Sequence, residues 1–462
     1  MCYTHANGIA MALMLLFADE SGQVYDHPGL LALVNDPHAA PALLGAGLAR
    51  DAAEPLPEHG ALQILPGRRP VGLDPATGQA VVLSEIKLGK KTIRPLAVAA
   101  VLPPGYTRLA IPAYSARALA PILPQWAYTA AAWDSERQGH VVWAMHTDKR
   151  SHWDPATHST PDLKGRVDDL LARHPENPLY QQLAKCALEY RCFTAQNAFY
   201  GRDEGAIPAS SGCNARCVGC ISEQPPEGPP SSHQRLEEAP ASEHMAALGA
   251  EHLALAPGRT MVSFGQGCEG EPLTRGRELA AAIRKMREST SRGSINLNTN
   301  GSLPKQLGWV IDAGLDSIRV SLNSAHKPLY EAYYQPVNYG WEQVKESITL
   351  AQKRGVYTAL NLLTFPGIVD EEGEVDALCK LVASCKVDQV QVRSLAIDPE
   401  QYLRVARGKS AGGKPVGMAE LFKRLRRARK GLVIGNFARG LAERGRGWRG
   451  PGVTAHGSEA DG

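Results

Sequence analysis

The sequence predicts an α/β fold: a partial (β/α)6 barrel preceded by a strand-rich N-terminal accessory domain. From about residue 205 to 400, short apolar runs alternate six times with longer helical stretches, the rhythm of a parallel sheet. Residues 1 to about 150 instead carry short apolar runs closed by Pro and Gly, among them Leu62 to Leu65 before Pro66-Gly67 and Leu96 to Leu102 before Pro103-Pro104-Gly105. The chain has 462 residues, 44% hydrophobic and 21% charged, with a net charge of +3, enough apolar material for a buried core and too much for wholesale disorder.

Taken in order, residues 1–150 form the accessory domain, with Val81 to Leu83 and Val141 to Trp143 as further strands. Residues 151–204 form a helical connector, in which Leu179, Leu183, Ala187 and Tyr190 recur at three- and four-residue spacings. The barrel spans 205–400. Its strands are predicted at Ala206 to Ser211, Thr260 to Phe264, Ser294 to Thr299, Ser317 to Leu322, Val356 to Leu363 and Gln389 to Ser394. Helices lie between them, including Ser242 to Ala256, Arg275 to Glu288, Trp341 to Arg354 and Glu372 to Ala383. Residues 222–242 hold five prolines and cannot form a regular helix, so an irregular loop, a candidate lid, is expected there. Residues 401–462 form a basic C-terminal tail. Within it, 421–450 contain ten Lys or Arg and one Glu around a stripe of Leu421, Leu425, Ala428 and Leu432.

The apolar run Ile9 to Ala18 is about half of the roughly 20 residues a bilayer demands and leads into Asp19-Glu20-Ser21-Gly22. It reads as a buried strand entering a turn; a cytoplasmic protein without a membrane partner is expected. Nine cysteines in such a chain speak for reduced, buried or metal-bound thiols over a disulfide framework.

Three of them, Cys213, Cys217 and Cys220, follow the first barrel strand in the segment Ser211-Gly212-Cys213-Asn214-Ala215-Arg216-Cys217-Val218-Gly219-Cys220. Parallel sheets collect their chemistry in the loops after strand carboxyl ends. Three thiolates on one such loop suit iron-sulfur or zinc, a Cys3His zinc site being the alternative. With three ligands for a four-iron cluster, one iron stays open to a small molecule. This pattern resembles the radical S-adenosylmethionine (radical SAM) superfamily over roughly residues 205 to 400. The resemblance implies a radical SAM partial barrel, a [4Fe-4S] cluster on Cys213, Cys217 and Cys220, and S-adenosyl-L-methionine chelated at the open iron. It further implies an enzyme that cleaves this cofactor reductively and abstracts a substrate hydrogen through a 5'-deoxyadenosyl radical, fed by an electron donor such as a flavodoxin or ferredoxin. The residue before the last cysteine, usually aromatic in that family, is Gly219 here.

A second strand-end segment, Gly265-Gln266-Gly267-Cys268-Glu269-Gly270-Glu271-Pro272-Leu273, resembles the family's Gly-Gly-Glu-Pro loop, which implies that Gly270, Glu271 and Pro272 bind the methionine end of the cofactor. Ser321 and Asn323, on one face of the fourth strand's end, are implied contacts to its ribose or carboxylate, and Leu360 to Gly367 to its adenine. Gln391 and Arg393 share one face of the sixth strand.

Other features read as structural. Cys268 is expected to be a small buried thiol, although it could donate a hydrogen atom or anchor substrate. The pairs Cys186/Cys192 and Cys379/Cys385 are expected to pack in the core, the alternative being an auxiliary cluster. His140, His146, His152 and His158, spaced by six, are expected on the surface of a hairpin. Two other functions remain open: an iron-sulfur electron carrier or sensor without radical chemistry, and a radical enzyme that modifies RNA through residues 421–450, with a solvated helix as that segment's plainer reading.

Overall fold

The computed structural model describes residues 13–35, 37, 53–255 and 260–440; Ile9 to Ala12 and the tail beyond residue 440 lie outside them. The N-terminal region is built on a ten-stranded sheet. At its centre Leu13–Ala18 pairs antiparallel with Val24–Ala32, Leu96–Val101 and Ala131–Asp134. Leu15, Leu16, Phe17 and Ala18 are all buried, because both faces of this strand are covered. Three helices follow, Leu163–Arg173, Pro178–Leu188 and Phe193–Tyr200. The middle one buries Leu179, Leu183 and Ala187 along one stripe.

The barrel sheet runs in simple chain order and is parallel throughout: β1 (Glu204–Ala206), β2 (Met261–Phe264), β3 (Ser294–Thr299), β4 (Ser317–Leu322), β5 (Tyr357–Thr364), β6 (Gln389–Ser394) and β7 (Val433–Gly435). Eight helices accompany it: α1 (Ser242–Leu255), α2 (Gly276–Ser289), α3 (Pro304–Asp312), α4 (Lys327–Tyr334), α5 (Trp341–Lys353), α6 (Glu372–Ser384), α7 (Pro399–Ala406) and α8 (Met418–Ala428). Two features correct the sequence-based expectation. A seventh strand, β7, extends the six. And the first strand covers Glu204–Ala206 in place of Ala206 to Ser211, because residues 209 and 210 leave the ladder: their N–H groups donate to the Glu269 carboxylate at 2.7 and 3.0 Å.

Of the basic segment, residues 421–440 are among those described. Helix α8 buries Met418, Leu421, Phe422 and Leu425 and leaves Arg426 and Arg427 in solvent. After β7 the chain turns inward. Gln391 and Gln389 donate to the Asn436 and Phe437 carbonyls at 2.8 and 2.7 Å, and Ala438 and Arg439 close the barrel floor. Among the described residues, no helix is long and apolar enough to cross a membrane. His158 departs from the surface expectation. It is 5% exposed, its ring stacks on Phe193 at 3.8 Å, and Nε2 lies 3.3 Å from Asn197 Oδ1.

Helix α6 carries a buried carboxyl, Glu374, which accepts from Ser324 Oγ at 2.5 Å and from the Ala411 N–H at 2.9 Å. Burial outweighs these bonds and pushes its pKa up to about 7, with Glu371 adding to the rise. A carboxyl raised above its ordinary 4.5 contributes stability fully below about pH 4.5 and loses it as pH climbs through 7. Glu374→Gln should therefore gain on the wild type by about 1–3 kcal/mol between pH 5.5 and pH 8 in chemical denaturation. A difference that stays flat across that range would show that the carboxyl is not raised.

Candidate functional site

The cysteine loop leaves β1 and is held from several directions. The Arg216 and Val218 N–H groups donate to the Tyr334 and Tyr333 carbonyls at the end of α4, both at 3.0 Å. Asn214 donates to Ser302 Oγ at 2.9 Å and accepts from Asn300 Nδ2 at 2.9 Å, fastening the loop to the end of β3. The Cys220 N–H donates to the Cys217 carbonyl at 3.1 Å, closing a tight turn. Gly219 is explained by its neighbour: a Cβ there would sit 2.6 Å from Tyr333 Oη, so the tyrosine takes the room that a side chain at 219 would need.

The loop after β2 docks on the cysteine loop backbone to backbone. Gly270 N–H donates to the Ser210 carbonyl at 2.7 Å and Glu271 N–H to the Gly212 carbonyl at 2.9 Å. Position 270 tolerates no side chain, since a Cβ would lie 2.0 Å from Gly212 O. Glu271 is 3% exposed and its oxygens accept from Leu273 N–H, Thr299 Oγ and Asn300 N–H at 3.0, 2.6 and 2.7 Å. Its carboxylate therefore ties the end of β2 to the end of β3. Burial pushes its pKa up to about 7 against those bonds. Pro272 is buried and opens a short turn toward α2.

Glu269, to which the sequence assigned no role, accepts four backbone N–H groups, those of Ala209, Ser210, Gly265 and Gln266. It clamps β1 to β2 beneath both loops. Nothing but its place in the glycine-rich segment marked it.

The proline-rich segment folds over the cysteines. Gln224 Nε2 donates to the Cys220 carbonyl at 2.6 Å, and Leu236 N–H to the Cys268 carbonyl at 2.9 Å. Arg235 reaches Cys220 Sγ with Nη2 at 3.5 Å while Nη1 pairs with Glu223 at 2.5 Å. From the N-terminal region Gln125 Nε2 also donates to the Cys220 carbonyl, at 3.0 Å. Neither Arg235 nor Gln125 carried a sequence signal, since both act from irregular segments.

Of the three thiols, Cys213 is exposed and Cys217 and Cys220 are partly buried. Burial pushes the Cys217 thiol well up, and the charges of Cys220 and Cys213 add to it, while the Arg235 guanidinium opposes the rise; the thiolates thus repel one another. A soft cationic iron center offsets that cost, so the donor set fits an iron-sulfur group. Among the described residues no three His, Cys, Asp or Glu side chains close on a single ion. Cys268 is buried, and Cys186 beside it is buried too, while Cys379 and Cys385 lie apart on α6 and at its end.

Ser321 and Asn323 lie at the end of β4. Ser321 is partly exposed; Asn323 is 1% exposed, donates to Tyr402 Oη at 3.3 Å, and keeps its Oδ1 buried without a hydrogen-bond partner. Such an orphaned acceptor suits a ligand hydroxyl. Below them the lumen is filled by a polar layer. Arg319 donates to Asn298, Gln391 and Glu204 at 2.6, 2.8 and 3.1 Å, and beneath it only a cavity of about 10 Å³ remains.

Residues 207–379 match the family model of the Radical SAM superfamily. No curated protein matches the sequence. Solved structures similar to the chain include anSMEcpe with bound AdoMet, at 17% identity over 42% of this chain and 52% of that one, TM-score 0.33. A radical SAM methyltransferase from Sphaerobacter thermophilus matches at 13% identity over 50% and 65%, TM-score 0.35. Streptococcus suis SuiB matches at 13% identity over 59% and 60%, TM-score 0.35. The chain spans 52 to 65% of the length of these three. The stretch that the Radical SAM superfamily model matches, residues 207–379, runs from the end of β1 into α6 of the in-order parallel half-barrel.

Proposed function

We propose that Cys213, Cys217 and Cys220 hold a [4Fe-4S] cluster, and that Gly270, Glu271 and Pro272, with Ser321 and Asn323, position S-adenosyl-L-methionine against it. The observation that carries this reading is the joining of the cysteine loop to the Gly270-Glu271 loop through two backbone hydrogen bonds, with no room for a Cβ at 270. The chemistry such a pair supplies is reductive cleavage of S-adenosyl-L-methionine to methionine and a 5'-deoxyadenosyl radical, which takes a hydrogen atom from a substrate.

The residues of this chain bind, orient and shield. Glu271 holds the ends of β2 and β3 at a fixed separation, so the loop N–H and C=O groups keep their aim. Asn323 Oδ1 offers an acceptor to a hydroxyl. Gln125, Gln224 and Arg235 cover the Cys220 end of the cysteine loop, while Cys213 stays exposed. A one-electron protein donor of flavodoxin or ferredoxin type fits, because the cluster needs an external reductant. The cytoplasm, a reducing compartment, suits free thiols.

The test is anaerobic reconstitution, addition of dithionite and S-adenosyl-L-methionine, and chromatography for 5'-deoxyadenosine. Its appearance, together with a change in the cluster's electron paramagnetic spectrum on cofactor addition, supports the proposal. A fully loaded cluster that yields none, with an unmoved spectrum, assigns the chain to iron-sulfur electron transfer or sensing.

A further inference from the structure

Arg393 faces the lumen from β6, two residues above Gln391 on the same side of the strand. Its guanidinium lies within the fields of Arg319, Glu204 and Asp148, yet it makes no hydrogen bond or ion pair among the described residues. The neighbouring carboxylates are engaged. Glu204 accepts from Arg319, Ser263 and Gln266. Asp148 accepts from the Asn436 and Phe437 N–H groups and from Arg439. Burial, with repulsion from Arg319, lowers the Arg393 pKa only to about 10, so the group stays charged at neutral pH.

Two more polar side chains share this wall. Ser321 on β4 and Asn361 on β5 stand opposite one another in the sheet register, with Gln391 next in line. Both are partly exposed, as are Leu363 and Arg393, and the side chains of Ser321 and Asn361 have no hydrogen-bond partner among the described residues. Beside Ser321, which is assigned to the cofactor, the two adjacent strands thus present the Asn361 amide and the Arg393 guanidinium to one space without hydrogen-bond partners among the described residues. An enclosed cation without a counter-ion is costly, and the occupant that offsets it is an anion able to take the guanidinium fork.

We propose that Arg393 is a substrate-binding residue that receives an anionic group, a carboxylate or a phosphate, of the molecule from which hydrogen is removed. This rests on the radical SAM reading of the mouth and adds the substrate's chemical class to it. The methionyl carboxylate of the cofactor is not the expected occupant. The loops assigned to the methionine end follow β1 and β2, and four strand-to-strand steps of about 4.8 Å separate β2 from β6 around the wall. One carboxylate cannot serve both sides of the mouth.

The experiment uses the full chain, cluster-loaded and saturated with S-adenosyl-L-methionine. Inorganic phosphate and malonate are titrated by calorimetry at constant ionic strength into wild type, Arg393→Gln, Arg393→Lys and, as a surface control, Arg426→Gln. The expected result is millimolar anion binding in wild type and Arg426→Gln, a loss of at least tenfold in Arg393→Gln, and recovery to within about threefold in Arg393→Lys. Affinity for the cofactor should change by less than twofold in every variant. Anion affinity unchanged in Arg393→Gln overturns the proposal. So does a parallel loss of cofactor affinity, which would make the cofactor's own carboxylate the occupant. Recovery in Arg393→Lys excludes misfolding as the cause of loss. The same titration on the cluster-free chain separates this inference from the reading beneath it: anion binding there that depends on Arg393, in a protein whose fully cluster-loaded form yields no 5'-deoxyadenosine, removes the radical reading and keeps the anion site.

Discussion

Gly270→Ala is expected to cost about 3–5 kcal/mol of stability and at least tenfold in affinity for S-adenosyl-L-methionine. The added methyl would lie 2.0 Å from Gly212 O, 2.5 Å from its carbonyl carbon and 3.1 Å from Cys213 N, all backbone atoms with no rotamer to turn aside. The strain is relieved only by separating the loops, which breaks the bonds from Gly270 to Ser210 and from Glu271 to Gly212. Overpacking of this kind costs about 1–3 kcal/mol and each lost hydrogen bond roughly 1 more. Gly308→Ala on α3 is the matched control, since a Cβ there meets nothing within 4 Å and a helical Gly gains about 1 kcal/mol on replacement by Ala. Thermal unfolding and cofactor titration read both effects. A Gly270→Ala protein that melts and binds like the wild type would mean that the two loops do not dock as described.

Cys217→Ala should lower iron from about four per chain to below one and abolish 5'-deoxyadenosine formation. Cys217 is the middle ligand of the proposed set, and its thiol is near enough to Tyr330, Tyr333 and Tyr334 to act on each electrostatically. The N-terminal sheet is held by its own ladders and should keep its structure, so far-ultraviolet dichroism should change little. Cys379→Ala, on α6, should keep its full iron. Four irons retained in Cys217→Ala would overturn the ligand assignment, and loss in both variants would mean that iron content reports folding.

What the sequence displayed follows from how local each feature is. Ser294–Thr299, Ser317–Leu322 and Gln389–Ser394 fall where the strand-helix rhythm puts them, because parallel strands buried on both faces are continuous runs bounded by helix starts. The cysteine triplet stood out because its three members are close neighbours in sequence. β1 was misplaced because a carboxylate from the next strand's loop, Glu269, takes over its backbone donors, and nothing within residues 206–211 announces that. Tyr333 explains Gly219, yet it arrives from a helix far along the chain. Glu271 stood out within its glycine-rich loop but not as a tie, since two of its three donors depend on the register of β3. Arg393 looked like half of a pair with Gln391; only the network that satisfies Gln391 and leaves Arg393 unmatched sets them apart.

The inward turn of residues 436–439 has a consequence for the timing of assembly. Asn436 and Phe437 supply the carbonyls that hold Gln391 and Gln389, and Ala438 and Arg439 close the floor, so the barrel is incomplete until this segment has been synthesised. Domains form from the N-terminal side as the chain emerges. The cysteine loop and its proline-rich cover are made long before the floor is sealed. Until that segment docks, Gln389 and Gln391 lack their carbonyl acceptors and the floor beneath the Arg319 layer stays open.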